Sequence, residues 1–168
     1  MKTWKDIEGW FNFQQIYDSA VETGEDGDVF IEIGSYKGKS AAYMGQAIKD
    51  SGKRITLLTS DIDEGLSREC KENIYECSLT RHVSTVWISS KQLSSEISEC
   101  GFVFIDGDHS YRGVNQDISL WYPKVKTGRI FAGHDYHSDP VKKAVDKFAA
   151  EYDYKLSFVE NSWYVIKK

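Results

Sequence analysis

The stretch VFIEIGSYKGKSAAYMGQAIKDSGKRITLLTSD, residues 29–61, decides the fold. Val29–Ile33 is a compact apolar run too short for a helix, and Gly34 stops it, so it reads as a buried strand. The loop Gly34-Ser35-Tyr36-Lys37-Gly38-Lys39-Ser40 follows. Ala41, Met44, Gly45 and Ile48 then fall on one face of a helix that ends near Ser51-Gly52. ITLLTS (55–60) is a second strand, finishing at Asp61. Strand, helix and strand in this span make a βαβ unit, whose strands are parallel and whose crossover is right-handed.

The alternation continues outward from this unit. A polar helical stretch around 66–79 precedes a strand at 83–88, a short helix near 92–97 and the strand FVFI (102–105). Val114, Ile118, Trp121 and Tyr122 share a helical face that runs until Pro123, and RIFA (129–132) is a fifth strand. Asp139 before Pro140 reads as an N-cap followed by the first helical residue, with Val141, Val145, Phe148 and Tyr152 as the buried stripe. LSFV and WYVI, separated by Glu160-Asn161-Ser162, form a closing hairpin, which must add an antiparallel strand. Towards the N-terminus, Trp4, Ile7, Trp10, Phe11, Ile16, Tyr17, Ala20 and Val21 keep a helical rhythm interrupted near Gly9, giving one or two leading helices within residues 1–22. The whole is an α/β domain over residues 1–168, a doubly wound sheet, parallel at its centre, with helices on both faces.

Composition narrows the function classes. The 168 residues fit one domain, and a formal charge of -5 with dispersed acidic residues leaves no basic stripe for double-stranded nucleic acid or an anionic membrane. Apolar runs fall far short of the roughly 20 residues that span a bilayer, and the N-terminus lacks the apolar core of a signal peptide, so a cytoplasmic protein is expected. Cys70, Cys77 and Cys100 are an odd set without paired spacing, which suits reduced thiols; they receive no role.

In a doubly wound sheet the ligand lies beyond the carboxyl ends of the strands, which gathers the loops starting at Gly34, Asp61, Asp106 and His134 on one rim. The first loop contains neither of the common phosphate-binding glycine patterns, since position 36 is Tyr, and Glu32 at the strand end suits a cationic ligand better than a phosphate. Asp61 stands where such sheets receive ribose hydroxyls; either it or Asp63 could instead cap the next helix. A nucleoside without a pyrophosphate is the ligand this combination suggests. Asp106-Gly107-Asp108-His109 and Gly133-His134-Asp135-Tyr136-His137 place acidic and imidazole groups opposite one another. Asp106, Asp135 and His134 suit Mg²⁺, Mn²⁺ or a similar ion, because carboxylates converging on one rim repel each other without a cation. Capping and turn formation are the plainer roles for any one of these aspartates.

VFIEIGSYKGKS together with FVFIDGDHSYRGVNQDISLWYPKVKTGRIFAGHDY resembles the class I S-adenosylmethionine-dependent methyltransferases, and within them the small group with E-I-G-S-x-x-G-x-S and I-D-G-D-H-S-Y signatures. The resemblance implies a seven-stranded sheet in the order 3-2-1-4-5-7-6 with strand seven antiparallel. It implies that Gly34, Ser35 and Gly38 pass under the methionine part of S-adenosylmethionine, that Glu32 answers the sulfonium charge, that Asp61 takes the ribose, and that Ser89 or Ser90 meets adenine. The group is similar to metal-dependent O-methyltransferases, which implies a divalent ion such as Mg²⁺ on Asp106, His134 and Asp135. Asp106 then borders the cofactor as well. His134 departs from the carboxylate usual in those enzymes. A sugar or other small hydroxylated acceptor would lose its proton to Asp108, with His109 as the next candidate base. The leading helices, with Trp4, Trp10, Phe11 and Tyr17, would supply a lid or a homodimer contact. Two alternatives are a non-catalytic module that binds S-adenosylmethionine and a metal-dependent oxygenase of the cephalosporin-hydroxylase kind, which His134 and His137 keep open. His82 is unassigned.

Overall fold

The computed structural model describes residues 2–168. A 3₁₀ turn at Trp4–Asp6 leads into α1 (Gln14–Thr23), β1 (Val29–Ile33), α2 (Lys39–Ser51), β2 (Thr56–Asp61), α3 (Glu64–Glu76) and β3 (Val83–Trp87). The second half runs through α4 (Ser90–Glu96), β4 (Phe102–Ile105), α5 (Tyr111–Trp121), a 3₁₀ turn at Tyr122–Lys124, β5 (Ile130–Gly133), α6 (Asp139–Glu151), β6 (Ser157–Val159) and β7 (Ser162–Ile166). The sheet order is β3-β2-β1-β4-β5-β7-β6, as expected. β1 to β5 pair in parallel, and β7 runs antiparallel to both β5 and β6.

The two-residue period of a strand sends alternate side chains to opposite faces. In β1 and β4 this gives Phe30, Phe102 and Phe104 to a core shared with Tyr17, Met44, Ile48 and Cys70, while Ile31, Ile33, Val103 and Ile105 meet Val114, Trp121, Phe148 and Trp163 on the other side. Helices α1 to α3 therefore cover one face and α4 to α6 the other. Burial contributes about 1.5–3 kcal/mol for each such large apolar side chain. Trp163 fixes the terminal hairpin, its ring 5.5 Å from that of Phe131 and 6.2 Å from that of Phe148. Cys70, Cys77 and Cys100 are free and buried.

The leading segment contains one α-helix, α1, after the break expected near Gly9, which adopts a φ of 145°. The structure differs from the sequence reading in two local respects. Of the aromatic residues grouped as a lid, Tyr17 is fully buried and Trp4 and Phe11 pack against the core, so only Trp10, 80% exposed, stands free. Ser138, and not Asp139, is the N-cap of α6; Asp139 and Pro140 are its first two residues. Among the described residues no helix is long and apolar enough to cross a membrane.

Candidate active site

A cleft of about 1510 Å³ opens over the carboxyl ends of the parallel strands, walled among others by Gly34, Ser35, Asp61, Asp106, Asp117 and His134. Its floor exists because of one glycine. Gly34 has a φ of 94°, and a Cβ there would overlap the carbonyl of Asp106, so β1 and β4 turn away from the sheet in contact with each other. Gly38, with a φ of 85°, serves a different neighbour. A Cβ there would sit 2.6 Å from Cys70 Sγ, so this glycine seats α2 on α3.

Glu32 is held inside the fold. Strand alternation directs it to the side of Phe30, where it is 1% exposed, accepts from Tyr17 Oη at 2.6 Å and Thr59 Oγ1 at 2.5 Å, and does not reach the cleft. Burial pushes its carboxyl above the usual range, against the pull of those hydroxyls. The two aspartates after β2 divide their work. Asp63 caps α3 by accepting from the Leu66 amide at 2.9 Å, whereas Asp61 stays in the cleft, tied by its own oxygens to the amides of Tyr36 and Asp63 at 3.0 Å each.

Ser89 and Ser90 both line the cleft at the start of α4. Ser89 caps that helix in a reciprocal arrangement with Gln92. The Ser90 hydroxyl accepts from Trp121 Nε1 at 2.8 Å and donates to Asp117 Oδ1 at 2.5 Å, so its proton is already committed inside the protein. Asp117 went unnoticed in the sequence. The signal was there: it falls among Val114, Ile118 and Trp121 on the buried face of α5, where a carboxylate needs a reason. Burial raises its carboxyl to about 6.

The acidic and imidazole groups do converge. Asp106, His134 and Asp135 each offer a donor atom within 4.8 Å of the other two. His134 is 8% exposed, with Nδ1 3.2 Å from Asp135 Oδ1 and 3.7 Å from Asp106 Oδ1, while its Nε2 is buried without a partner. Phe13 closes the inner side, its ring 5.2 Å from the imidazole. Asp135 holds a φ of 55°, a left-handed conformation that Asp tolerates and that recurs at functional turns. Burial raises the Asp106 carboxyl, and the Asp135 charge adds to it, against the pull of His109 and His134.

The two base candidates are differently placed. Asp108 Oδ1 accepts from the Ser110 amide at 2.8 Å, in the turn that precedes the Ser110 cap of α5, and its carboxyl packs over Gly113. His109 Nε2 lies 3.4 Å from Asp106 Oδ1 and 3.1 Å from Asp135 Oδ2 and is half exposed. The hydrogen bond to Asp106 raises its pKa, opposed by burial and helped by the Asp135, Asp106 and Asp108 charges. His137 joins the rim with Nδ1 3.8 Å from Asp135 Oδ1.

Known proteins bear on this site as follows. A curated relative, uncharacterized protein R132 of Acanthamoeba polyphaga mimivirus, is 27% identical over 146 residues. The match covers 81% of this chain and 66% of that protein, so the chain spans a little under two thirds of its relative's length. An O-methyltransferase from Bacillus cereus, solved with SAH, superposes with a TM-score of 0.69 at 15% identity, covering 92% of this chain and 78% of the other. The O-methyltransferase TomG of Streptomyces achromogenes, solved with SAM, gives 0.71 at 10% identity over 92% and 79%. At these identities the likeness speaks for the fold alone. The family described as "Methyltransferase domain" matches residues 31–136, a span that runs from β1 through the glycine loop and the Asp106 turn to the His134-Asp135 turn. The chain therefore belongs to the methyltransferase domain family, within the class I S-adenosylmethionine-dependent fold that its motifs resemble.

Proposed function

We propose that this methyltransferase carries the methyl group of S-adenosylmethionine to a hydroxyl oxygen of a small acceptor, a sugar or another vicinal diol, with a divalent cation at the site. The observation that carries the reading is the convergence of Asp106, His134 and Asp135 beside the Gly34 turn in one cleft. The donor set fits a cation: two carboxylates, the charge of one raising the carboxyl of the other, and an imidazole Nδ1 directed at both. When bound, such an ion supplies positive charge that lowers the pKa of an acceptor hydroxyl. Mg²⁺ is compatible with the oxygens, and the nitrogen donor widens the choice to Mn²⁺ and its neighbours.

The reaction is an in-line displacement at the methyl carbon, so the chain's task is orientation and proton removal. Asp61 receives the ribose hydroxyls on the carboxylate edge that its two amide bonds leave free. The Gly34 turn and Ser35 support the methionine part. His109 is the better-placed base, because its imidazole faces the Asp106–Asp135 pair while Asp108 is engaged in the turn before α5. Trp10, exposed at the mouth, is the aromatic face available to a sugar ring or to a second copy of the chain in a homodimer.

Calorimetric titration of S-adenosylhomocysteine and of Mn²⁺, each into wild type and into Asp135→Asn, separates the two halves of the reading. The expected result is that both bind wild type and that Asp135→Asn loses Mn²⁺ while keeping S-adenosylhomocysteine. Equal Mn²⁺ binding by both proteins would remove the cation site, and absence of S-adenosylhomocysteine binding would remove the methyl-donor site.

A further inference from the structure

The lobe of the cleft between α4 and α5 holds a carboxylate that methyl transfer does not itself require. Asp117 is 5% exposed, yet it forms part of the cleft wall. Its orientation is fixed by a directional chain. An indole N–H only donates, so Ser90 Oγ accepts from Trp121 and turns its single proton to Asp117 Oδ1. Asp117 Oδ2 has no hydrogen-bond partner among the described residues, which leaves it as the acceptor available to a ligand in the cleft that Asp117 lines.

The order of the strands suggests what it meets. With the methionine part at the Gly34 turn after β1 and the ribose at Asp61 at the end of β2, a ligand that continues in the same direction carries its base towards β3 and α4. There Ile62 and Ile88 offer apolar walls, and Ser90 at the start of α4 holds Asp117 of α5 by its hydroxyl. We infer that Asp117 reads the six-position of the purine of the methyl donor: Oδ2 accepts a hydrogen bond from the exocyclic amine of adenine and repels a 6-oxo group in its place. The inference rests on the methyl-donor reading above and adds a specificity-determining residue to it. A carboxylate that titrates near pH 6 is charged at neutral pH and accepts strongly.

The test compares S-adenosylhomocysteine with S-inosylhomocysteine, which differs by carrying oxygen in place of the amine, on wild type and Asp117→Asn at neutral pH. In the variant the amide oxygen still accepts from Ser90, which turns the amide N–H₂ group to the cleft, a donor facing a donor. Wild type should favour the adenosyl ligand by about 10- to 100-fold, the scale of a hydrogen bond to a charged group, and Asp117→Asn should abolish or invert that ratio. Ser90→Ala, which keeps the carboxylate but frees it to turn, should lower the ratio to an intermediate value. Equal affinity of wild type for the two ligands, or an unchanged ratio in Asp117→Asn, would overturn the assignment while leaving S-adenosylhomocysteine binding intact. If wild type binds neither ligand, the methyl-donor reading falls and the assignment falls with it.

Discussion

At the scale of single residues, the site is decided by which face a side chain is given. Glu32 and Ile33 are neighbours in sequence, yet the pleat of β1 buries the first under α1 and leaves the second on the cleft side. The acidic strand end was legible in the sequence, but its direction was not, because VFIEI is buried on both faces and shows no polar alternation to mark one of them. Asp117 is the opposite case: its neighbours on α5 marked it as inward, and only the position of Ser90, distant in sequence, fixes its orientation at the cleft wall. Its raised pKa makes a prediction about stability. The carboxyl titrates at about 6 in the folded chain and at 3.8 when exposed, so the folded state binds the proton more tightly than the unfolded state. The contribution of this carboxyl to stability then falls as pH rises from about 4 to above 6, by about 3 kcal/mol at roughly 1.4 kcal/mol per pH unit. Urea denaturation of wild type and Asp117→Asn should show the variant gaining on wild type by that amount across the interval. Parallel curves would mean that the carboxyl is no harder to ionise in the fold than in water.

At the scale of elements, the alternation of strands and helices was readable because each strand is a short apolar run bounded by Gly or Asp and each helix carries its own apolar stripe. Only the later part of the leading rhythm forms a helix. Ile7 and Phe11, before α1, are drawn individually into the core, where tertiary packing decides over the local pattern. What holds α1 to the sheet is partly polar. Tyr17 donates to Glu32 at 2.6 Å in a buried setting, while the stacking of Phe13 on Phe104, with centroids 4.3 Å apart, closes the end near His134. Tyr17→Phe keeps the ring and leaves Glu32 with one oxygen unanswered, at a cost of about 1–3 kcal/mol. For a chain of this size each kcal/mol lowers Tm by about 2–4 °C, so a drop of several degrees is expected in a thermal melt. An unchanged Tm would show that the bond adds nothing to the docking of α1.

At the scale of the whole molecule, the cleft is a seam between the two halves of the sheet. β1 and β2 contribute Gly34 and Asp61, β4 and β5 contribute Asp106, His134 and Asp135, and α4 with α5 close the outer end. Its volume of about 1510 Å³ exceeds the roughly 300–1,000 Å³ typical of a site for one small ligand, which leaves room for donor and acceptor together. A ligand lying across such a seam bonds to both halves at once and has no counterpart site in the unfolded chain, so its full binding energy adds to global stability. At 100 times its Kd, S-adenosylhomocysteine should stabilise the fold by about 2.7 kcal/mol and raise Tm by roughly 5–10 °C. Asp61→Ala removes the acceptor on the β2 side without touching the core. It should melt near the wild-type temperature when free and lose most of the shift at the same ligand concentration. A shift of equal size in both proteins would mean that the ligand does not use Asp61, and the base would then no longer be directed towards α4 and Asp117.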